Sequence, residues 1–146
     1  MSTVALDPAT AAEGPALSVA DDRLASSLSC PGRFAEGREP VLLVHGTATN
    51  SHDTWSWNYL RAVPAFGVSV CTVELPDRAL GDIQVSAEYV VHAIRAVSAA
   101  SGKRVDVIGH SQGSLEPGWA PTSSAAPGRA RRRYSRCGGG PDSWLR

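Results

Sequence analysis

"RVDVIGHSQGSLEPGWA", residues 104–120, decides the fold. Its first six residues read as a short apolar strand, Gly109, Ser111 and Gly113 as a sharp turn, and the residues after Gly113 as the start of a helix. A G-x-S-x-G turn needs its glycines because the chain passes from strand to helix so tightly that side chains there would collide. The serine is left at a strained apex with its oxygen exposed, and the next backbone N–H, that of Gln112, faces the same space. Ser111 is therefore the candidate nucleophile. A serine hydroxyl titrates too high to attack at neutral pH unaided, so the stretch demands a base elsewhere in the chain.

Upstream, the pattern is strand, helix, strand, helix, strand. "PVLLVHG" at 40–46 is an apolar run bounded by Pro40 and Gly46, the mark of a strand covered on both faces. "GVSVCTVEL" at 67–75 predicts the next strand, with Val68, Val70 and Thr72 on one side. Between them "WSWNYLRAVPAF" places Trp55, Tyr59, Leu60 and Val63 at helical spacing. The clearest helix runs from about Ile83 to Ala100, where Ala87, Val90, Val91, Ile94 and Val97 form one stripe, with Asp82 as N-cap and Gly102 as C-terminal stop. "ADDRLASSL" predicts a short helix capped by Asp21 or Asp22, with Leu24 and Leu28 on one face. This order predicts an α/β fold, an open, mostly parallel sheet with flanking helices and right-handed crossovers, and ligands in such sheets bind beyond the carboxyl ends of the strands.

The 146 residues suit one domain. A net charge of zero conceals a split: residues 1–120 hold eight Lys plus Arg against thirteen Asp plus Glu, whereas residues 121–146 hold six Arg against Asp142 alone. Residues 1–20, rich in Ala, Pro, Ser and Thr, read as a disordered leader, and residues 21–120 as the folded part. The tail 121–146 lacks Val, Ile, Met and Phe and reads as a disordered basic segment with the composition of GC-rich DNA translated out of frame after Trp119 or Ala120. Its "RARRRYSR" run could contact phosphates, but no aromatic platform or fold accompanies it, so no nucleic-acid partner is expected. No run approaches the roughly 18 apolar residues of a membrane span. Cys30, Cys71 and Cys137 show no CxxC or Cys/His spacing, so no metal site is expected.

A second element supports the nucleophile. "VLLVHGTATN" ends an apolar strand in His45-Gly46-Thr47, and acyl transfer needs preorganised donors for its oxyanion, one after the nucleophile and one after an early strand. Thr47 and Gln112 occupy those places. "EPVLLVHGTATN", "GDIQVSAEYVVHAI" and "GHSQGSLEPGWA", in this order, resemble α/β-hydrolase lipases of the Candida antarctica lipase B type and their bacterial relatives. The likeness covers residues 22 to about 120 and corresponds to the N-terminal half of such an enzyme. It implies a truncated α/β-hydrolase fold, Ser111 as nucleophile, and the backbone and hydroxyl of Thr47 with the backbone N–H of Gln112 as oxyanion-hole donors. It also implies a Cys30–Cys71 disulfide, a ping-pong acyl-enzyme route on carboxylic esters including triacylglycerols, and no metal or organic cofactor. The expected partner is an ester or lipid substrate, met without a membrane span and at a lipid interface.

Relatives place an acid and a histidine after the serine. Here His45, His52, His92 and His110 all precede Ser111, and only Glu116 and Asp142 follow it as acids. No triad acid or histidine is found, so the chain as written is expected to be inactive, and its last core strand an exposed edge. The alternative is a non-catalytic hydrolase-like fragment that binds lipid or a partner. The resemblance implies a secreted protein, but "MSTVALDPATAAEGPALSVADD" lacks the basic and apolar regions of a signal, which makes the chain cytoplasmic if its start is genuine.

Overall fold

The computed structural model describes residues 16–115 and the backbone of residues 130–132. Strands β1 (Leu28–Ser29), β2 (Val41–Val44), β3 (Val70–Val73), β4 (Val105–Gly109) and β5 (Ala130–Arg132) form one sheet in the order β1-β3-β2-β4-β5. β2, β3, β4 and β5 run parallel, and only β1 joins antiparallel, so the sheet is open and mostly parallel as expected. β2 is central, and all four of its side chains are buried, which is why its sequence is uniformly apolar rather than alternating.

Helices cover both faces. On one side α1 (Asp21–Ser27) and α4 (Ile83–Ser101) pack over Leu42, Val44, Cys71, Val73, Val105 and Val107. α4 contributes Tyr89, Val90, Ala93 and Val97 to this core, with Ile94 partly buried at its margin. Asp82 caps the helix by accepting the Gln84 N–H at 2.7 Å, and Gly102 ends it in the left-handed region at φ 67°. On the other side α2 (Ser51–Trp55) and α3 (Tyr59–Ala65) cover Val41, Leu43 and Val70 through Trp55, Tyr59, Leu60 and Val63. The β2 side chains divide by parity between the two cores, the period of two that a strand imposes.

Four features differ from the sequence reading. The span expected as one helix between β2 and β3 is two, because Asn50 and Asn58 each accept a backbone N–H at a helix start, from Asp53 and Tyr59, and the chain turns between them. The N-cap of α1 is Ala20, without a side-chain bond, and Asp21 and Asp22 lie in the first turn, where their charge meets the positive end of the helix dipole. Residues 16–20, placed in the leader, are anchored: the Glu88 carboxylate accepts from the Ser18 N–H and hydroxyl at 2.6 Å each and from the Val19 N–H at 2.9 Å, while Leu17 and Val19 lie against the core. Finally, β5 pairs with β4 from Val105↔Ala130 to Val107↔Arg132, which gives part of the expected edge a partner for its backbone groups. The rest of 1–15 and 116–146 lies outside the described residues. Among the described residues no helix is long and apolar enough to cross a membrane.

The Cys30–Cys71 disulfide is formed. It ties the segment after β1 to the middle of β3, next to the central strand.

Candidate active site

Three loops meet beyond the carboxyl ends of β2, β3 and β4. β4 ends at Gly109, and after His110 the chain reverses through a 3-10 turn, Ser111–Ser114. Ser111 itself sits in the left-handed region at φ 55° and is exposed. A non-glycine residue there is strained by about 1–2 kcal/mol, which persists only where the surroundings impose it.

The surroundings are the glycines. A Cβ on Gly109 would lie 2.1 Å from the Gly113 carbonyl oxygen, and one on Gly113 would lie 2.3 Å from that of His45. A Cβ on Gly46 would stand 2.9 Å from the Ser111 Cβ and 2.8 Å from the His110 carbonyl oxygen. The end of β2 and the elbow after β4 are therefore in direct contact, as the Val44↔Gly109 register requires. The His110 N–H donates to the Val44 carbonyl at 3.0 Å, and the Gly113 N–H to the His110 carbonyl at 3.0 Å.

Thr47 follows Gly46 and is brought to the elbow. Its hydroxyl donates to Gln112 Oε1 at 2.5 Å. In this arrangement the hydroxyl proton expected at an oxyanion is directed to the Gln112 side chain. The loop is held from the other side as well, since the Ala48 N–H donates to the Arg78 carbonyl at 2.8 Å. Ala48 has φ 62°, and Asp77, Arg78 and Ala79 have φ 50°, 54° and 57°. Four non-glycine residues in the left-handed region thus border the site, and of them only Asp77 is of a type that visits this region readily.

The histidines have other partners. His45 is fully buried; its Nε2 accepts the Leu75 N–H at 3.0 Å and its Nδ1 lies 2.9 Å from the Gly46 carbonyl oxygen. Both ring nitrogens are engaged, with the Glu74 carboxylate 3.4 Å from Nε2. His52, expected in a loop, lies in α2 with its side chain in solvent, 3.6 Å from Asp53. The His110 ring meets Trp55 edge to face, centroids 6.4 Å apart. His92 lies in α4, where burial holds its imidazole below the ordinary value, opposed by Asp21 and reinforced by Arg95. The sequence reading missed the Glu74 contacts: its carboxylate accepts the Ser51 N–H at 3.1 Å, and the Ser51 hydroxyl donates to the Val73 carbonyl at 3.2 Å.

Lipase B of Pseudozyma antarctica is 34% identical over 110 residues, 74% of this chain and 32% of that enzyme. The chain is homologous to part of lipase B. Among solved structures, lipase B of Aspergillus fumigatus superposes with a TM-score of 0.71 at 32% identity, over 84% of this chain and 30% of that one. The mature lipase BlEst2 of Bacillus licheniformis matches at a TM-score of 0.55 and 17% identity, covering 64% of this chain and 39% of that one, which speaks to fold alone. No family model matches. The lipase B-like chain has an α/β-hydrolase sheet with flanking helices and spans about a third of the length of the lipase B relatives it matches.

Proposed function

We propose that the chain carries the nucleophile and oxyanion half of a serine ester hydrolase. The observation that carries this reading is the strained, exposed Ser111 packed against Gly46, one residue from Thr47. Ser111 Oγ attacks the carbonyl carbon of a carboxylic ester, and the carbonyl oxygen takes up negative charge between the N–H groups of Thr47 and Gln112. The C–O bond to the alcohol then breaks, the alcohol leaves with a proton, and water releases the acyl group from Ser111. The serine proton must pass to a base, and no hydrogen bond joins Ser111 to any of the four histidines. Without a base and its acid partner, these 146 residues alone are not expected to sustain turnover. Oxyanion stabilisation and binding alone leave about 10³–10⁴ over water when the base is lost, a figure taken from serine proteases. Triacylglycerols and simpler esters are the substrate class the likeness to lipase B suggests, and the disulfide suits an oxidising compartment.

The test is a fluorophosphonate probe followed by peptide mass spectrometry, together with p-nitrophenyl acetate hydrolysis with and without added imidazole as an external base. A single adduct on Ser111, and imidazole-dependent hydrolysis that Ser111→Ala removes, support the reading. A folded sample that is neither labelled nor rescued overturns it in favour of a non-catalytic fragment that binds lipid or a partner.

A further inference from the structure

His45 is a buried titratable group that the proposed chemistry does not use. Its ring lies between two backbone groups that have no strand partner: the Leu75 N–H beyond the end of β3 and the Gly46 carbonyl beyond the end of β2. The Glu74 carboxylate stands 3.4 Å from Nε2 without a hydrogen bond to the ring; of the two groups that are bonded, an N–H can only donate and a carbonyl can only accept, so Nε2 carries the lone pair and Nδ1 the proton. Each bond satisfies a group that would be costly to leave unpaired at this depth.

We infer that His45 is a positioning residue for the oxyanion hole, acting through the Gly46–Thr47 peptide; this rests on the proposed roles of Ser111 and Thr47. The carbonyl that Nδ1–H holds belongs to the same planar unit as the Thr47 N–H, the proposed donor. There is no cis peptide here, so carbonyl and N–H point in opposite directions, and fixing one aims the other. The next peptide is fixed separately by Ala48 N–H on the Arg78 carbonyl. Between these two anchors the Thr47 N–H cannot turn without breaking a bond at one side. A hydrogen bond accepted at a peptide carbonyl also polarises the unit and strengthens its N–H as a donor. Leu75 transmits the position of β3 to the ring, so strand pairing β2·β3 sets the donor's direction.

The experiment uses the full chain and has two arms. In the first, nitrogen-15 spectra of the wild type report the His45 tautomer and the Thr47 amide. The inference requires an Nδ1–H imidazole, and a Thr47 amide that shifts in His45→Phe and stays near its wild-type position in His45→Asn, whose side-chain amide can still reach the Gly46 carbonyl. In the second, the rate of fluorophosphonate labelling of Ser111 falls about tenfold to a hundredfold in His45→Phe, a fraction of the loss when an oxyanion donor is removed outright. Labelling recovers to within about threefold in His45→Asn but not in His45→Gln, which reaches only the Leu75 N–H. A merely structural role would make both readouts follow the unfolding midpoint across the three variants. That result, an Nε2–H tautomer, or an unmoved Thr47 amide in His45→Phe overturns the inference. If wild-type Ser111 is neither labelled nor rescued by imidazole, the proposed function fails while the spectra still decide the role of His45, and a His45→Phe variant that does not fold leaves the tautomer and the His45→Asn amide as the deciding measurements.

Discussion

Gly113→Ala isolates the contact on which the site depends. The added Cβ would lie 2.3 Å from the His45 carbonyl oxygen, 2.6 Å from that of Val44 and 3.0 Å from the Val44 carbonyl carbon. Ordinary contact distances are about 3.5 Å, so the two chains must part by roughly an ångström. All three atoms are backbone at the end of β2, which is held between β3 and β4 and cannot swing aside as a side chain would. Overpacking ordinarily costs about 1–3 kcal/mol, and a clash with fixed backbone on both sides belongs at the upper end, about 3 kcal/mol. Gly113 has no positive φ, so the destabilisation is steric rather than conformational.

Gly102→Ala is the matched control. Nothing lies within 4 Å of its added Cβ, and its φ of 67° alone is strained, worth about 1 kcal/mol. In urea titrations followed by circular dichroism, with a slope of about 1–3 kcal/mol per molar, Gly113→Ala is expected to lower the midpoint by about 1–3 M and Gly102→Ala by about a third of that. The same displacement moves the Gln112 N–H relative to Ser111, so labelling of Ser111 falls in Gly113→Ala and not in Gly102→Ala. Equal midpoint shifts in the two variants, or a Gly113→Ala shift worth less than about 0.5 kcal/mol, would refute the close packing of elbow and β2.

Replacing both Cys30 and Cys71 by Ser, which opens a cross-link between residues 41 apart, is expected to cost about 3–4 kcal/mol in the same titration; no loss would mean that the bridge constrains nothing the unfolded chain would otherwise explore. Ser111→Gly relieves a residue at φ 55° and is expected to raise stability by about 1 kcal/mol while abolishing labelling, whereas Ser111→Ala keeps the strain; equal stabilities for the two variants would show the apex to be unstrained. Acid sensitivity should come in two steps. Burial lowers the His92 imidazole, so below pH 6.5 the unfolded chain binds a proton that the folded one refuses, and stability falls as pH drops; His92→Gln should flatten this step in thermal melts between pH 7 and 5. For Glu88, burial works upward but is outweighed by the Ser18 hydroxyl bond and the Val19 and Ser18 N–H bonds, leaving the carboxyl below its ordinary 4.5. Its contribution is present above pH 4.5 and lost as pH falls through the lowered value, and Glu88→Gln should remove that second step alone.

An element is legible in the sequence to the extent that many of its residues carry the same signal. α4 spans 19 residues, enough for its stripe, its Asp82 cap and its Gly102 stop to agree. β2 and β4 were legible because a run of buried apolar residues bounded by glycine has few other readings. β1 has two residues and therefore no period, and only its pairing with Val73 and Thr72 defines it. The break between α2 and α3 was available in Asn50 and Asn58, both good caps, but the apolar spacing across Trp55 and Tyr59 masked it. The anchoring of Ser18 depends on Glu88, seventy residues away, and the disulfide on a distance between strands; neither is a local property of the sequence.

The meeting of Ser111 with the Gly46–Thr47 loop comes from a single strand pair, β2 with β4, whereas the anchors of that loop come from β3 and the segment after it. Pairing Val44 with Gly109 places Gly46 beside Ser111, and the absence of a Cβ at 46 and 113 lets the two loops touch. A slip of one residue would turn the apolar face of β4 outward and carry Ser111 away from Thr47 at the same time, so the core that fixes the register also fixes the site. A base contributes nothing to that register. The four histidines are accordingly distributed by other demands: one holds backbone ends together, one is half-buried in a helix, one lies over Trp55, and one faces solvent. Sheet pairing accounts for the meeting of Ser111 with Gly46 and Thr47, the proposed nucleophile and oxyanion loop, and places no histidine by itself. The strain at Ser111 is therefore expected with or without a base nearby, which is why Ser111→Gly should stabilise this chain even where it has no turnover to lose.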